Sequence, residues 1–301
     1  MEPKVVIIII NWNGIRDTIE CLESLKNIKY SNYSVIVVDN GSSGDDVAVL
    51  GQMFGDSVDL LCNHTNLGFT GGNNVGIRHA LRNGVDYILL LNNDVTVEPD
   101  FLRNLVMFAE TREDAGIFGP SVCSYSSPSI LDSTGGRLSL WRGWSANNNA
   151  GASFSQRPCD PEEVDFVEGC CMLIKRSVIE HIGLLDDQYF AYWEETDFCL
   201  RANRSGFKVM VVPESRIYHK GGGSSIGPRR LYFLIRNNIL FMRKNARSYH
   251  FMTYIPVCIL WNIPVWSSML FIKHPVKTLS AVVSALSWHL FNKAARISPP
   301  T

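Results

Sequence analysis

The sequence predicts an α/β fold with parallel core strands, and three observations carry that expectation. Short apolar runs rich in β-branched residues recur at Val5–Asn11, 34–39 and 86–91, each closed by polar residues and a turn. Stretches with helical spacing separate them, a rhythm of strand and helix that builds a parallel sheet covered on its faces. With 301 residues, 46% hydrophobic and 19% charged, the chain can bury a substantial core, and disorder is excluded.

The elements follow in order. Val5–Asn11 reads as a buried first strand, and residues 15–28 place Ile19, Leu22, Leu25 and Ile28 on one helical face. Residues 34–39 are a second strand and 58–62 a weaker third. The glycine- and asparagine-rich stretch 68–76 leads into a helix ending near Arg82. Residues 86–91 form a strand closed by Asn92, Asn93 and Asp94, and Pro99 opens a helix running to about residue 113. The middle, 121–163, is polar and glycine-rich, with short strands and a hairpin around 137–144. Residues 169–175 are a strand, 195–205 a helix, and 208–212 and 216–219 closing strands. Residues 221–227 form a flexible loop.

Charge and cysteine usage narrow the function classes. The net charge of −1, from 28 basic and 29 acidic residues, supplies no field for nucleic acid, so an anionic ligand must be held locally. None of the eight cysteines (Cys21, Cys62, Cys123, Cys159, Cys170, Cys171, Cys199, Cys258) forms a CxxC pair. They are expected to be reduced packing residues in a cytosolic compartment rather than zinc ligands. The apolar run 5–10 is too short for an export signal, so the chain is expected to start folding at once.

In a parallel sheet, ligands bind at the carboxyl ends of the strands. Asn11, Asp39 and Asn92-Asn93-Asp94 all fall at that edge. An exposed carboxylate at a strand end suits a hard divalent cation bridging phosphates; an ordinary Asn/Asp turn is the plainer reading. His219, before Gly221-Gly222-Gly223, could complete such a site, and its imidazole would favour Mn²⁺ over Mg²⁺. A lone histidine is more often simply packed. Glu194, Glu195 and Asp197 open a helix after the aromatic run 189–193. The helix dipole explains such acids without a function, and Asp197 with Arg201 at i,i+4 reads as a structural ion pair. Aromatic neighbours would nevertheless raise a carboxylate pKa, as a general base for a sugar hydroxyl requires. The stretch 66–76 contains neither GxGxxG nor GxxxxGK[ST]; a helix N-terminus near Asn73 could face phosphate or simply be an Asn-capped turn.

Taken together, IIINWNG, VIVVDNGSS, NLGFTGGNNVGI, YILLLNNDV, EGCCMLIKR and YFAYWEETDFCLRA resemble, in order over roughly the first 220 residues, glycosyltransferase family 2 and its rhamnosyltransferase-like branch. The resemblance implies a GT-A fold, with a mixed, mainly parallel sheet and a C-terminal helical extension. The composition changes after Arg229, where 231–244 reads as an apolar helix, and this divides the chain into a catalytic domain at 1–228 and an apolar helical region at 229–301. The resemblance also assigns roles. Asn11, Asp39, Asn66, Gly72, Asn92 and Asn93 would line the donor site, and Asp94 and His219 would hold Mn²⁺ or Mg²⁺. Glu195, or its neighbour Glu194, would be the catalytic base; apart from the resemblance, the aromatic patch before them, with Tyr192 and Trp193, could stack on a sugar ring as the acceptor platform. Asn92 stands where the family's motif usually has Asp, and Glu195 where Asp is more usual. The implied activity is inverting transfer of a sugar from a UDP- or dTDP-linked donor to an acceptor hydroxyl, in polysaccharide or glycolipid synthesis. Arg229 and Arg230 read as solvated charges.

Residues 251–272 lack any charge but contain Pro256, Asn262 and Pro264, with basic residues on both flanks. This fits helices on anionic lipid or a segment dipping into one leaflet better than a full span. A buried packing helix or a dimer contact is the plainer reading of the same residues; membrane association is the expectation, at the cytoplasmic membrane face, with a saccharide or lipid-linked acceptor and oligomerisation left open. Two alternatives compete. A sugar nucleotidyltransferase needs a basic glycine-rich loop at the first strand, which NWNG lacks. A non-catalytic carbohydrate-binding scaffold would not need Asp94, Glu194, Glu195 and His219.

Overall fold

The computed structural model describes residues 2–221 and 227–291, so Gly222 and Gly223 of the expected loop lie outside the described residues. The chain forms two compact units: residues 1–137, 147–190 and 194–222, and residues 138–146, 191–193 and 223–301.

The first half of the chain runs β1 (Val5–Asn11), α1 (Ile15–Leu25), β2 (Tyr33–Asp39), α2 (Asp46–Phe54), β3 (Asp59–Cys62), α3 (Gly68–Arg82), β4 (Tyr87–Asn92), β5 (Val95–Val97) and α4 (Phe101–Glu110). There follow β6 (Ala115–Ser124), β7 (Leu131–Ser133), the hairpin of β8 (Gly136–Ser139) and β9 (Trp144–Asn147), and β10 (Glu162–Glu163). Then come β11 (Cys171–Lys175), α5 (Arg176–Ile182), α6 (Glu194–Arg204) and β12 (Lys208–His219). The large sheet has the order β10-β12-β6-β11-β4-β1-β2-β3, with β5 on β12 and β7 on β6. Strands β4, β1, β2 and β3 are parallel, β11 is antiparallel to both β4 and β6, and β12 is parallel to β6. The sheet is mixed and mainly parallel, as expected.

The continuous VVIIII run is explained by burial on both faces. Val5, Ile7 and Ile9 join one core with Leu22, Leu25 and Leu105; Val6 and Ile8 join the other with Ile77 and Phe198. Each fully buried Ile or Leu contributes about 1.5–3 kcal/mol, enough to fix β1 at the centre of the sheet.

Three expectations are corrected. Residues 115–120, left without a strand, begin the long buried β6. Two of its glycines allow close packing: a Cβ on Gly116 would meet Val178 at 2.3 Å and one on Gly119 would meet Val167 at 2.6 Å. Helix α3 starts at Gly68, so Asn73 lies inside the helix, 2% exposed, and neither caps it nor faces a phosphate from its end. Its glycines bring it close to β1: a Cβ on Gly76 would sit 2.5 Å from Ile8. The two expected closing strands are one, β12, with an irregularity between Val212 and Arg216. Helices α2 and α5 join the expected set.

The second unit consists mainly of α7 (Pro228–Asn245), α8 (Phe251–Val257), a π-helical turn (Cys258–Asn262), α9 (Ile263–Lys273) and α10 (Pro275–Phe291). Leu231 and Ile235 of α7 pack with Leu270, Ala281 and Ala285. Among the described residues no helix is long and apolar enough to cross a membrane. Charge is divided unevenly. All 29 acidic residues precede Ser215, while 11 of the 28 basic residues and no acidic one lie in the second unit. The overall −1 is therefore a formal −12 in the first unit and +11 in the second.

Candidate active site

The carboxyl ends of β1, β2 and β4 deliver a linked polar network. The Asn11 amide donates to Asp39 Oδ2 (2.8 Å), Asp46 Oδ2 (2.9 Å) and Ser42 Oγ (3.2 Å), while Thr18 Oγ1 donates to Asn11 Oδ1 (2.7 Å). Asn93 Nδ2 donates to Thr18 Oγ1 (3.0 Å). Asn11 is 0% and Asp39 2% exposed. Both are expected to touch a donor directly; here both side chains are buried and hydrogen-bonded within the chain. Gly72 is likewise buried, its α-carbon facing Ile10 and Asn40. Asn66 is partly exposed, but its Oδ1 accepts from Gly68 N (2.7 Å) and Asn40 Nδ2 (3.1 Å), fixing the start of α3. Asn92 and Asp94 are partly exposed at the edge.

Asp94 follows β4, and β12 brings His219 to it. The antiparallel register pairs His219 with Val95, and His219 Nε2 lies 3.3 Å from Asp94 Oδ1. Burial opposes the Asp94 carboxylate, but the His219 hydrogen bond and charge outweigh it, and its pKa falls below the usual range. Burial likewise disfavours the His219 imidazolium, yet Asp94, Glu168 and Asp132 hold its pKa above the ordinary value. The next residue, Lys220, is neutralised by Asp17 (2.5 Å) and Glu20 (2.6 Å) of α1.

Glu168 and Cys170 also approach His219, with candidate ligand atoms all within 4.8 Å of one another. Burial keeps the Cys170 thiol protonated, well above the usual thiol range, and raises the Glu168 carboxyl. Oxygen and imidazole donors from Asp94 and His219 therefore fit a Mn²⁺-like cation better than a thiolate set does. Glu168 opens one of the matching segments, yet nothing in its local sequence marks it; the fold brings it beside His219.

Helix α6 presents the two candidate bases. Glu194 is 6% exposed, and its Oε2 is buried with no hydrogen-bond partner among the described residues. Burial, and then the charge of Glu195, push its pKa well above the carboxylate range. Glu195 is partly exposed, and burial raises its carboxyl to about 6, with a further push from Glu168. Asp197 forms the expected ion pair with Arg201 (2.9 Å) and accepts from Tyr189 Oη (3.0 Å), so it is structural.

The segment entering α6 is strained. Phe190, Tyr192 and Trp193 take φ of 65°, 70° and 74°, left-handed values that cost roughly 1–3 kcal/mol each without glycine. In the first unit, Thr70 N donates to Phe190 O (3.2 Å), and Gly68 (φ +77°) leaves room that a Cβ, 2.5 Å from that oxygen, would fill. In the second unit, the wholly buried Asn237 of α7 donates to Ala191 O (2.7 Å) and Tyr192 O (2.8 Å). Trp193, expected as an acceptor platform, is 6% exposed with its ring against Phe241 (5.0 Å), which removes it as a stacking surface. Tyr192 is 37% exposed, and Arg230, expected in solvent, lies over its ring at 5.5 Å.

The comparisons agree on the fold and the family. Among solved structures, GalNAc-T7 with UDP, GalNAc and Mn²⁺ matches with TM-score 0.65 at 15% identity, over 82% of this chain and 49% of that one. The Pyrobaculum calidifontis mannosyltransferase PcManGT, in complex with GDP-Man and Mn²⁺, matches with TM-score 0.60 at 13% identity, over 97% and 88%. Both establish the GT-A fold. The Shigella flexneri dTDP-rhamnosyl transferase RfbF is 24% identical over 81% of this chain and 82% of its own length. The Haloferax volcanii low-salt glycan biosynthesis hexosyltransferase Agl10 is 30% identical over 69% and 64%. The model of glycosyl transferase family 2 matches residues 6–183, and with more than half its length inside that match the chain belongs to this family and is a glycosyltransferase.

Proposed function

We propose that the chain transfers a sugar, with inversion, from a UDP- or dTDP-linked donor to a hydroxyl of a saccharide or lipid-linked acceptor. The observation that carries this is the contrast between the two acids of α6. Glu195 is accessible, and its carboxyl, raised to about 6, is ionised at neutral pH yet basic enough to accept a proton. Glu194 is buried and held neutral.

In this mechanism the acceptor hydroxyl gives its proton to Glu195 while its oxygen bonds to the anomeric carbon. The bond from that carbon to the diphosphate breaks in line, and the electron pair leaves with the nucleoside diphosphate. Asp94 and His219 would hold a divalent cation, which when bound supplies neutralising charge for the leaving diphosphate. Asn66 and Asn92, both partly exposed, would border the donor's place.

The second unit is proposed to rest on an anionic membrane surface. Its support is the +11 charge together with exposed Met252, Ile259, Leu260 and Ile272, each at least 60% accessible. Calorimetric titration with UDP, dTDP and GDP, with Mn²⁺ and with EDTA, tests the transferase reading. Binding of one nucleotide only with metal is expected; no binding of any favours a non-catalytic scaffold.

A further inference from the structure

The second unit contains a cavity of about 500 Å³ lined by Arg142, Trp144, Val257, Trp261 and Asn262, within the size range of small-ligand sites. It is a constructed feature. The tip of the β8–β9 hairpin is pinned by buried side chains: Asn262 Nδ2 donates to Arg142 O (2.9 Å), and Asn238 Nδ2 to Gly143 O (2.8 Å). Tyr254 Oη in turn donates to Asn238 Oδ1 (2.9 Å), and both asparagines are 0% exposed. Gly143 has φ +56°, and a Cβ there would lie 2.4 Å from the Tyr254 ring, so only glycine fits. The facing wall comes from the π-helical turn Cys258–Asn262, a costly geometry often retained at functional sites.

The lining has two characters. Trp144, stacked on Trp266 with ring centroids 6.0 Å apart, faces an apolar space shared with Val257 and Trp261. Arg142 is exposed and makes no ion pair among the described residues, and its unit has no acidic side chain to offer one. Apolar aromatic walls with one free cation match an amphiphile with a hydrocarbon chain and an anionic head. Charge complementarity selects the anion, since the described residues of this unit carry nine basic side chains and no acidic one. Continuity selects the chain, because Trp261 (62% exposed) stands on the same turn as exposed Ile259 and Leu260. Six of the seven tryptophans lie in this unit, as they do where proteins meet lipid headgroups.

We propose that this cleft binds a lipid phosphate, with the chain between Trp144, Val257 and Trp261 and the phosphate on Arg142. It assigns a site that the proposed function does not use, and only an acceptor's role for the bound lipid rests on that reading. Binding itself needs no donor nucleotide.

The test is fluorescence titration of the full chain with farnesyl phosphate below its micellar concentration, beside farnesol and inorganic phosphate. Saturable binding of farnesyl phosphate is expected, with farnesol about tenfold weaker and inorganic phosphate not bound at the same concentrations. Arg142→Gln should weaken farnesyl phosphate about tenfold while leaving farnesol unchanged, and Trp261→Ala should weaken both, with circular dichroism confirming that each variant is folded. Displacement by phosphatidylglycerol vesicles would assign the site to bilayer lipid, and its absence to a lipid-linked acceptor; both sustain a lipid-phosphate site. Absence of saturable binding, or equal binding by wild type and both variants, overturns it. A chain that binds farnesyl phosphate but no nucleotide keeps the cleft and loses the transferase reading.

Discussion

His219 Nε2 stands 3.3 Å from Asp94 Oδ1 because the β12–β5 register sets His219 opposite Val95, the residue after Asp94. Two partners distant in sequence are thus fixed by backbone pairing rather than by flexible side chains. If they hold a cation, each is indispensable in its own way. Asp94→Ala should abolish metal-dependent nucleotide binding, and His219→Ala should weaken Mn²⁺ about 10–100-fold without unfolding the chain. Calorimetry with Mn²⁺ and UDP or dTDP reads both. Unchanged Mn²⁺ dependence in Asp94→Ala would move the cation elsewhere.

Glu194 and Glu195 are adjacent yet predicted to behave oppositely. Glu195→Gln should keep donor binding and lose about 10²–10⁴-fold in turnover, because the amide cannot accept the acceptor's proton. Glu194 is held protonated by burial, so Glu194→Gln is close to isosteric and should retain most activity. Normal turnover in Glu195→Gln, with loss in Glu194→Gln, would reverse the assignment.

The pH profile follows from the same group. Glu195 must be unprotonated to act, and its carboxyl titrates at about 6. With metal saturating, kcat/KM should fall about tenfold per pH unit below 6 and level off above it. Stability runs the other way. A carboxyl raised in the fold favours the neutral form, so its contribution is present below its unfolded pKa, about 4.3, and is lost as pH rises through about 6. Glu195→Gln should therefore gain stability over wild type at pH 8 and not at pH 4. A profile flat down to pH 5 would remove Glu195 as the base.

Strands β1, β2 and β4 were legible because their apolar runs are nearly unbroken and buried on both faces. Strand β6 was not, since Gly116, Gly119 and Pro120 carry a turn-like signature whose cause is close approach by Val178 and Val167, distant in sequence. The site divides the same way. Asp94, Glu195 and His219 lie in recognisable segments or at a strand end, and the fold brings Asp94 and His219 together. The fate of Trp193 depends on Phe241, and the neighbours of His219 include Glu168; neither is encoded in local spacing.

Asn237 was invisible for that reason, and it yields the sharpest prediction about stability. Left-handed backbone at Tyr192 and Trp193 persists only where neighbouring groups over-determine it. Asn237 supplies two hydrogen bonds, to Ala191 O and Tyr192 O, from a side chain with 0% exposure. Asn237→Ala leaves those two partly buried carbonyls without these donors and opens a small void. A lost hydrogen bond is worth about 0.5–1.5 kcal/mol, so a loss of roughly 1–3 kcal/mol is expected in urea unfolding. Asn237→Asp, isosteric but without the amide donor, should be at least as harmful, whereas a loss of only about 0.5 kcal/mol would mean the left-handed turn is held by Trp193 packing on Phe241 alone. Because Trp193 runs directly into Glu194, Asn237→Ala should lower kcat more than it raises the KM for donor. Equal loss in both would assign Asn237 to general stability, and leave the placement of Glu195 to the first turn of α6.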